Sequence, residues 1–228
     1  MNIEMISKPA NTAGRIRMAQ GETILTEVGA MIAMSPGIRV ETSSRTASGG
    51  GLMRGLKRMF SGENFFINHF TADVDGQELI IGPALAGDMV LHRLHTGRLI
   101  VQGGSWLASG PGIDVDTTWQ GMARGLLSGE GLFWVNCRGT GDIVISSFGA
   151  IYEVDVQDSY MVDTSHIVAF EDTLEFTMGK ASDSWFGSFL GGEGIVCKFR
   201  GHGKLYCQSH SPQMFGTALG PLLLPRQG

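Results

Sequence analysis

Internal repetition constrains this chain more than any other feature. The string Ser61-Gly62-Glu63-Asn64-Phe65-Phe66 returns as Ser128-Gly129-Glu130-Gly131-Leu132-Phe133, and again as Gly191-Gly192-Glu193-Gly194-Ile195-Val196. The glutamates are 67 and 63 residues apart. A second block repeats in the same order: Gly29 to Thr42 matches Gly104 to Thr117, and a degenerate copy runs from Ser165 to Thr177. Two blocks recurring three times in fixed order imply three tandem copies of one unit of roughly 60–70 residues. The expected bounds are about 1–83, 84–152 and 153–212, in a single body with a short C-terminal tail at 213–228.

Each unit reads as β structure. Ser35-Pro36-Gly37 and Gly110-Pro111-Gly112 carry turn chemistry, because proline presets φ and glycine accepts positive φ. The strands that follow, Ile38-Arg39-Val40-Glu41 and Ile113-Asp114-Val115-Asp116, alternate apolar with charged residues, which puts the aliphatic side chains on one face. The second block predicts a hairpin with its turn at Asp75-Gly76, Gly139-Thr140-Gly141 or Gly201-His202-Gly203. In the first copy its arms are Phe65–Phe70 and Leu79–Ile81, in the second Leu132–Cys137 and Ile143–Ser146, in the third Ile195–Phe199 and Leu205–Cys207. Glycine, 34 of 228 residues with only 7 prolines, fits many short strands joined by tight turns. The expected fold is all-β: three short antiparallel β-sandwich units, resembling a double-stranded β-helix, around a pseudo-threefold axis, with solenoid stacking as the alternative.

The links between the two blocks differ. The first, Ser43–Phe60, is long, glycine- and serine-rich and basic; the others run Thr118–Leu127 and Met178–Leu190. Each ends in apolar residues at helical spacing, predicting a short amphipathic helix. In the first link Leu52, Met53, Leu56, Met59 and Phe60 oppose Arg54, Lys57 and Arg58. That pattern suits a tip touching a protein partner or acidic headgroups; the favoured reading is a stripe buried in the core or at a subunit contact. The recurring Glu63, Glu130 and Glu193 could converge as an oxygen-rich cation site, but structural carboxylates capping backbone N–H groups are the preferred reading.

Other chemistry is thin. Cys197, His202, Cys207 and His210 have zinc-like spacing, but a hairpin would leave His202 at the tip and the set unable to converge. His92 and His95 are three apart and would face opposite sides of a strand. Cys137 and the serines lack a nucleophile elbow or a His-Asp arrangement, and no phosphate loop or dinucleotide fingerprint occurs. Trp106, Trp119, Trp134 and Trp185 are expected in cores. No cofactor and no metal are expected.

Net charge of −5 argues against a nucleic-acid partner. Three cysteines fit a reducing compartment. Neither a secretory leader nor a spanning helix is expected. Charged residues are only 17%, which leaves apolar surface to be covered by self-association.

The Gly29–Thr42 block, the Gly55-Leu56-Lys57-Arg58 segment, the Ser61–Phe66 block, Trp119-Gln120-Gly121 and Gly191-Gly192-Glu193-Gly194 together resemble one family. It is the family of unknown function related to the mitochondrial protein named for altered inheritance of mitochondria. The resemblance runs from about Ile3 to Pro212. It implies a fold like the tryptophan-RNA-binding attenuation protein, with short twisted antiparallel sheets, in a compact oligomeric protein. It brings no activity, and neither tryptophan nor RNA binding comes with it.

The expected function is a non-catalytic scaffold or binding protein. It forms a homo-oligomer, resides in the cytoplasm or peripherally at a membrane, and meets a protein or membrane surface through its link tips. The rival is a small-ligand- or metal-binding β-helix protein, or an enzyme with a pocket between strands.

Overall fold

A computed structural model of the protein describes residues 1–9, 11–44, 66–116, 134–180 and 195–223. Among these the chain is predominantly β, with one short α-helix. A first strand, β1 (Asn2–Ile6), precedes three six-strand sets. The first set is β2 (Ala13–Met18), β3 (Thr23–Glu27), β4 (Met31–Met34), β5 (Ile38–Ser44), β6 (Phe66–Ala72) and β7 (Gln77–Ile81). The second is β8 (Met89–Leu94), β9 (Arg98–Gln102), β10 (Trp106–Ser109), β11 (Ile113–Asp116), β12 (Trp134–Gly139) and β13 (Gly141–Ser146). The third is β14 (Ile151–Val156), β15 (Ser159–Asp163), β16 (Ile167–Glu171), β17 (Leu174–Lys180), β18 (Ile195–Gly201) and β19 (Gly203–Gln208).

These strands form four antiparallel sheets. Their orders are β1-β2-β7-β4, β5-β6-β3-β10-β13-β8, β11-β12-β9-β16-β19-β14 and β15-β18-β17. The two six-stranded sheets are each assembled from two successive sets, joined by β3 against β10 and by β9 against β16. The ladders form an open row in which β4 and β15 are not paired with each other. The pseudo-threefold axis expected from copy number therefore finds no support in the strand pairing.

Alternation shapes the strands as expected. On β11, Ile113 and Val115 are buried while Asp114 faces solvent. The aliphatic faces meet in three clusters. One gathers Ile16, Ile24, Ile38, Phe70 and Leu79 under Leu107 and Ala108 of the next set. The second packs Leu99, Val101, Trp106, Val115 and Ile143 under Val168 and Ala169. The third holds Val162, Phe170, Leu174, Phe199 and Leu205, with Ile100 and Trp134 reaching in from the preceding set. Burying each such side chain stabilises the fold by about 1.5–3 kcal/mol. Trp106 and Trp134 fill cores as expected, whereas Trp119 and Trp185 lie outside the described residues.

The predicted hairpins are not hairpins. β6 pairs with β5 and β3, whereas β7 pairs with β2 and β4; β12 and β13, and β18 and β19, are separated in the same way. Both edges of each arm are already occupied, so the turn carries the chain from one sheet to another. Glycine is required there. Gly139 has φ +119°, and a Cβ on it would sit 2.2 Å from the Gly112 carbonyl oxygen. Met178 and Ser43, expected to begin links, instead lie within β17 and β5, opposite Cys197 and Ile67. The remainder of the three links, with their expected helices, lies outside the described residues.

Past β19 the chain forms α1 (Pro212–Leu219). Pro212 occupies its first turn and the Ser211 hydroxyl accepts from the Met214 N–H at 3.2 Å, which is standard N-capping chemistry. Phe215 packs edge-on against Phe148 at 5.3 Å, tying the helix to the turn before β14.

Candidate functional site

Leu52, Met53, Arg54, Leu56, Lys57, Arg58 and Phe60, and the glutamates Glu63, Glu130 and Glu193, all lie outside the described residues. The structure does address the other candidates. Cys197 is on β18 and Cys207 on β19, strands of different sheets rather than cross-strand neighbours. Both are buried free thiols. His202 is exposed at the crossing turn, and His210 packs at a tilt against Phe148 while its Nδ1 lies 2.7 Å from Ser209 Oγ. The four zinc-like residues do not converge, and among the described residues no group of three His, Cys, Asp or Glu side chains is placed to hold a metal.

His92 and His95 also separate, the first buried on β8 and the second exposed in the following turn. His92 Nδ1 lies 2.9 Å from the Tyr206 hydroxyl, on β19. Around this pair Lys204 bridges to Glu153 with its ammonium and donates its backbone N–H to Glu171 at 2.9 Å. Burial, opposed by Glu171, holds the His92 imidazole below its ordinary value. Burial likewise raises the Tyr206 phenol, so it is not an activated base or nucleophile. Sequence spacing could not have brought together two residues 114 positions apart.

A small polar notch opens among Gln102, Thr164, Ser165, Gln208 and Gln213. Gln208 and Ser165 are already engaged in hydrogen bonds. Gln208 Oε1 accepts from Phe148 N at 2.9 Å and its Nε2 donates to Ser165 O at 3.0 Å. Asp163 Oδ1 accepts from both the Ser165 N–H and its hydroxyl. These bonds hold a turn and a sheet end.

What stands out is the row's two ends. β4 exposes Met31 at 41%, Ile32 at 60% and Met34 at 40%. β15 exposes Tyr160 at 43% and Met161 at 48%. Every other edge strand among the described residues contains at least one charged residue, such as Arg39 and Glu41 on β5 or Asp114 on β11, whereas Met31-Ile32-Ala33-Met34 contains none. Charged side chains are the usual protection of an edge against unwanted pairing, and among the described residues β4 has neither a charge nor a strand on its outer edge. No sequence signal marks this strand as exposed, since it is at least as apolar as its buried counterpart Trp106-Leu107-Ala108-Ser109.

Comparison with known proteins places the chain. An uncharacterised protein from Streptococcus pyogenes serotype M6 is 28% identical over 209 residues, covering 90% of this chain and 84% of the relative. A crystal structure of a Streptococcus pyogenes protein matches the fold with a TM-score of 0.79 at 24% identity, covering 97% of this chain and 99% of that one. Residues 3–210 match the family described as mitochondrial biogenesis AIM24. With that match spanning nearly its whole length, the chain belongs to the mitochondrial biogenesis AIM24 family.

Proposed function

We propose that this protein is a non-catalytic, self-associating scaffold or binding protein built from three copies of one β unit. The exposed apolar β4 supports self-association most directly: three large apolar side chains stand on one uncharged edge. The common pairing order of the three six-strand sets supports the copy number. Sheets shared between successive sets are in keeping with the tryptophan-RNA-binding attenuation protein fold implied by the resemblance. Fold likeness brings no ligand with it, and a net charge of −5 speaks against RNA.

In this reading the protein works in the cytoplasm or peripherally at a membrane. No helix among the described residues is long and apolar enough to cross a bilayer. A protein or membrane-surface partner is met through the first link, where Leu52, Met53, Leu56 and Phe60 supply apolar contact and Arg54, Lys57 and Arg58 supply charge.

The deciding experiment is native mass spectrometry of the protein purified from its own cells. Multiples of the 24.4 kDa chain are expected. A monomer at every concentration would remove the self-association reading. A metabolite or metal carried along would instead favour a ligand-binding protein. A Leu56→Ser, Phe60→Ser double variant that stays oligomeric but loses partners or anionic vesicles supports the tip assignment; one that keeps both removes it.

A further inference from the structure

The chain contains the same inter-set joint twice and the two unmatched halves of it once. At the first joint Ala108 of β10 faces Thr26 of β3, and Ser109 faces Leu25. At the second, Ala169 of β16 faces Val101 of β9, and Phe170 faces Ile100. β10 and β16 occupy the same place in their sets, each with a register shift after its first residue, between Trp106 and Ala108 and between Ile167 and Ala169. β4 has the same shift, between Met31 and Ala33, on the equivalent partner β7. β15 in turn lies on β18 as β3 lies on β6 and β9 on β12. So β4 is a β10-type strand with nothing on its outer edge among the described residues, and β15 is a β3-type strand in the same condition.

Burial follows the joint rather than the residue type. The shifted position is Leu107 at 1% exposure, Val168 at 0% and Ile32 at 60%. On the opposing strand, Leu25 and Ile100 are 6% and 5% exposed, while Met161 is 48% exposed. The cores agree. Leu107 and Ala108 close the first cluster and Val168 and Ala169 close the second, but among the described residues the third has no such pair. Ile32 and Ala33, the residues of the matching type, are at the far end of the row.

We infer that β4 of one copy pairs antiparallel with β15 of the next, with Ala33 opposite Val162 and Met34 opposite Met161, so that Ile32 and Ala33 of one chain close the third core of its neighbour. This inference rests on the self-association reading above and names its partner as a second copy of the chain. The contact is heterologous: each molecule offers both halves, so assembly runs head to tail into a ring or a filament, not into an isologous dimer. Main-chain hydrogen bonds supply the ladder, and the apolar side chains supply burial, as in other strand-addition contacts.

The test uses two surface variants of the full chain, Met34→Lys and Met161→Lys, with wild type beside them, measured by light scattering. Each variant alone is expected to be monomeric, since one half of the joint is blocked. Mixed in equal amounts they are expected to form dimers of about twice 24.4 kDa, because the first variant retains β15 and the second retains β4. If wild type is oligomeric and the mixture yields no dimer, or both variants keep the wild-type mass, the head-to-tail joint is wrong while self-association stands. If wild type is monomeric, both fall. As a second readout, copies carrying Ala33→Cys are oxidised with copies carrying Val162→Cys, and Met34→Cys with Met161→Cys. Adjacent pairs alternate between wide and close geometry, so one of the two is suited to a disulfide. Cross-linking in one of these pairs supports the register; Ala33→Cys copies joining only to one another would show a two-fold contact and overturn it.

Discussion

The imidazole Nδ1 of His92 lies 2.9 Å from the phenolic oxygen of Tyr206, joining β8 to β19 across 114 residues of sequence. The rings meet edge to face with centroids 5.7 Å apart, and both side chains are buried. Tyr206→Phe leaves the imidazole nitrogen without its partner and is expected to cost about 1–3 kcal/mol in urea unfolding. Burial keeps His92 below its ordinary value of 6.5, so the unfolded chain binds the extra proton first. Stability held by the neutral ring is therefore present above pH 6.5 and declines as pH falls below it. His92→Gln is expected to flatten that part of the pH profile.

Glu27 is expected to produce the opposite slope. Burial at the end of β3 pushes its carboxyl from 4.5 up to about 7. Between those values the folded chain holds a proton that the unfolded chain has lost, so stability falls as pH rises through this window. Glu27→Gln imitates the protonated form. It is expected to raise stability at pH 8 by on the order of 1–3 kcal/mol and to change little at pH 4, read from chemical denaturation at both values.

Gly139 supports a sharper structural prediction. A methyl group there meets the Gly112 carbonyl oxygen, and the φ of +119° is itself unfavourable for alanine. Gly139→Ala is expected to cost more than about 2 kcal/mol. Gly179, on β17, has no atom of the described residues within 4 Å of its Cβ position, and Gly179→Ala is expected to leave the melting temperature nearly unchanged.

The three thiols are expected to be silent in the native protein. Cys137, Cys197 and Cys207 are all fully buried. Burial pushes Cys207 up to about 11 and Cys197 to about 12, and raises Cys137 further still. Without thiolate or access there is no nucleophile. A colorimetric thiol reagent at pH 8 is expected to titrate none of them until denaturant is added, and all three afterwards.

The sequence made the all-β class legible because alternation and turn chemistry are local properties. Ile113-Asp114-Val115-Asp116 states its buried face within four residues. The repeated blocks also set Met31, Trp106 and Ile167 side by side, and each begins a strand with the same register shift. The failure at Gly139-Thr140-Gly141 is equally instructive. Those residues specify a reversal of direction, but whether the two arms pair depends on which edges other strands have already taken. The Ser211-Pro212 pair before α1 is a helix-start signal legible in the sequence, at the boundary of the segment expected only as a C-terminal tail. Exposure of Ile32 against burial of Leu107 was not readable at all, since it depends on position in the row of strands and not on the residue or its neighbours.

Because β3 of the first set is held by β10 of the second, and β9 of the second by β16 of the third, a cut between successive sets severs a strand ladder as well as the backbone. Removing residues after β13 would strip Val168 and Ala169 from the middle cluster, leaving a raw apolar edge where a lid had been. Truncation at a set boundary is therefore expected to destabilise the sets that remain, read as a lower melting temperature of the shortened chain.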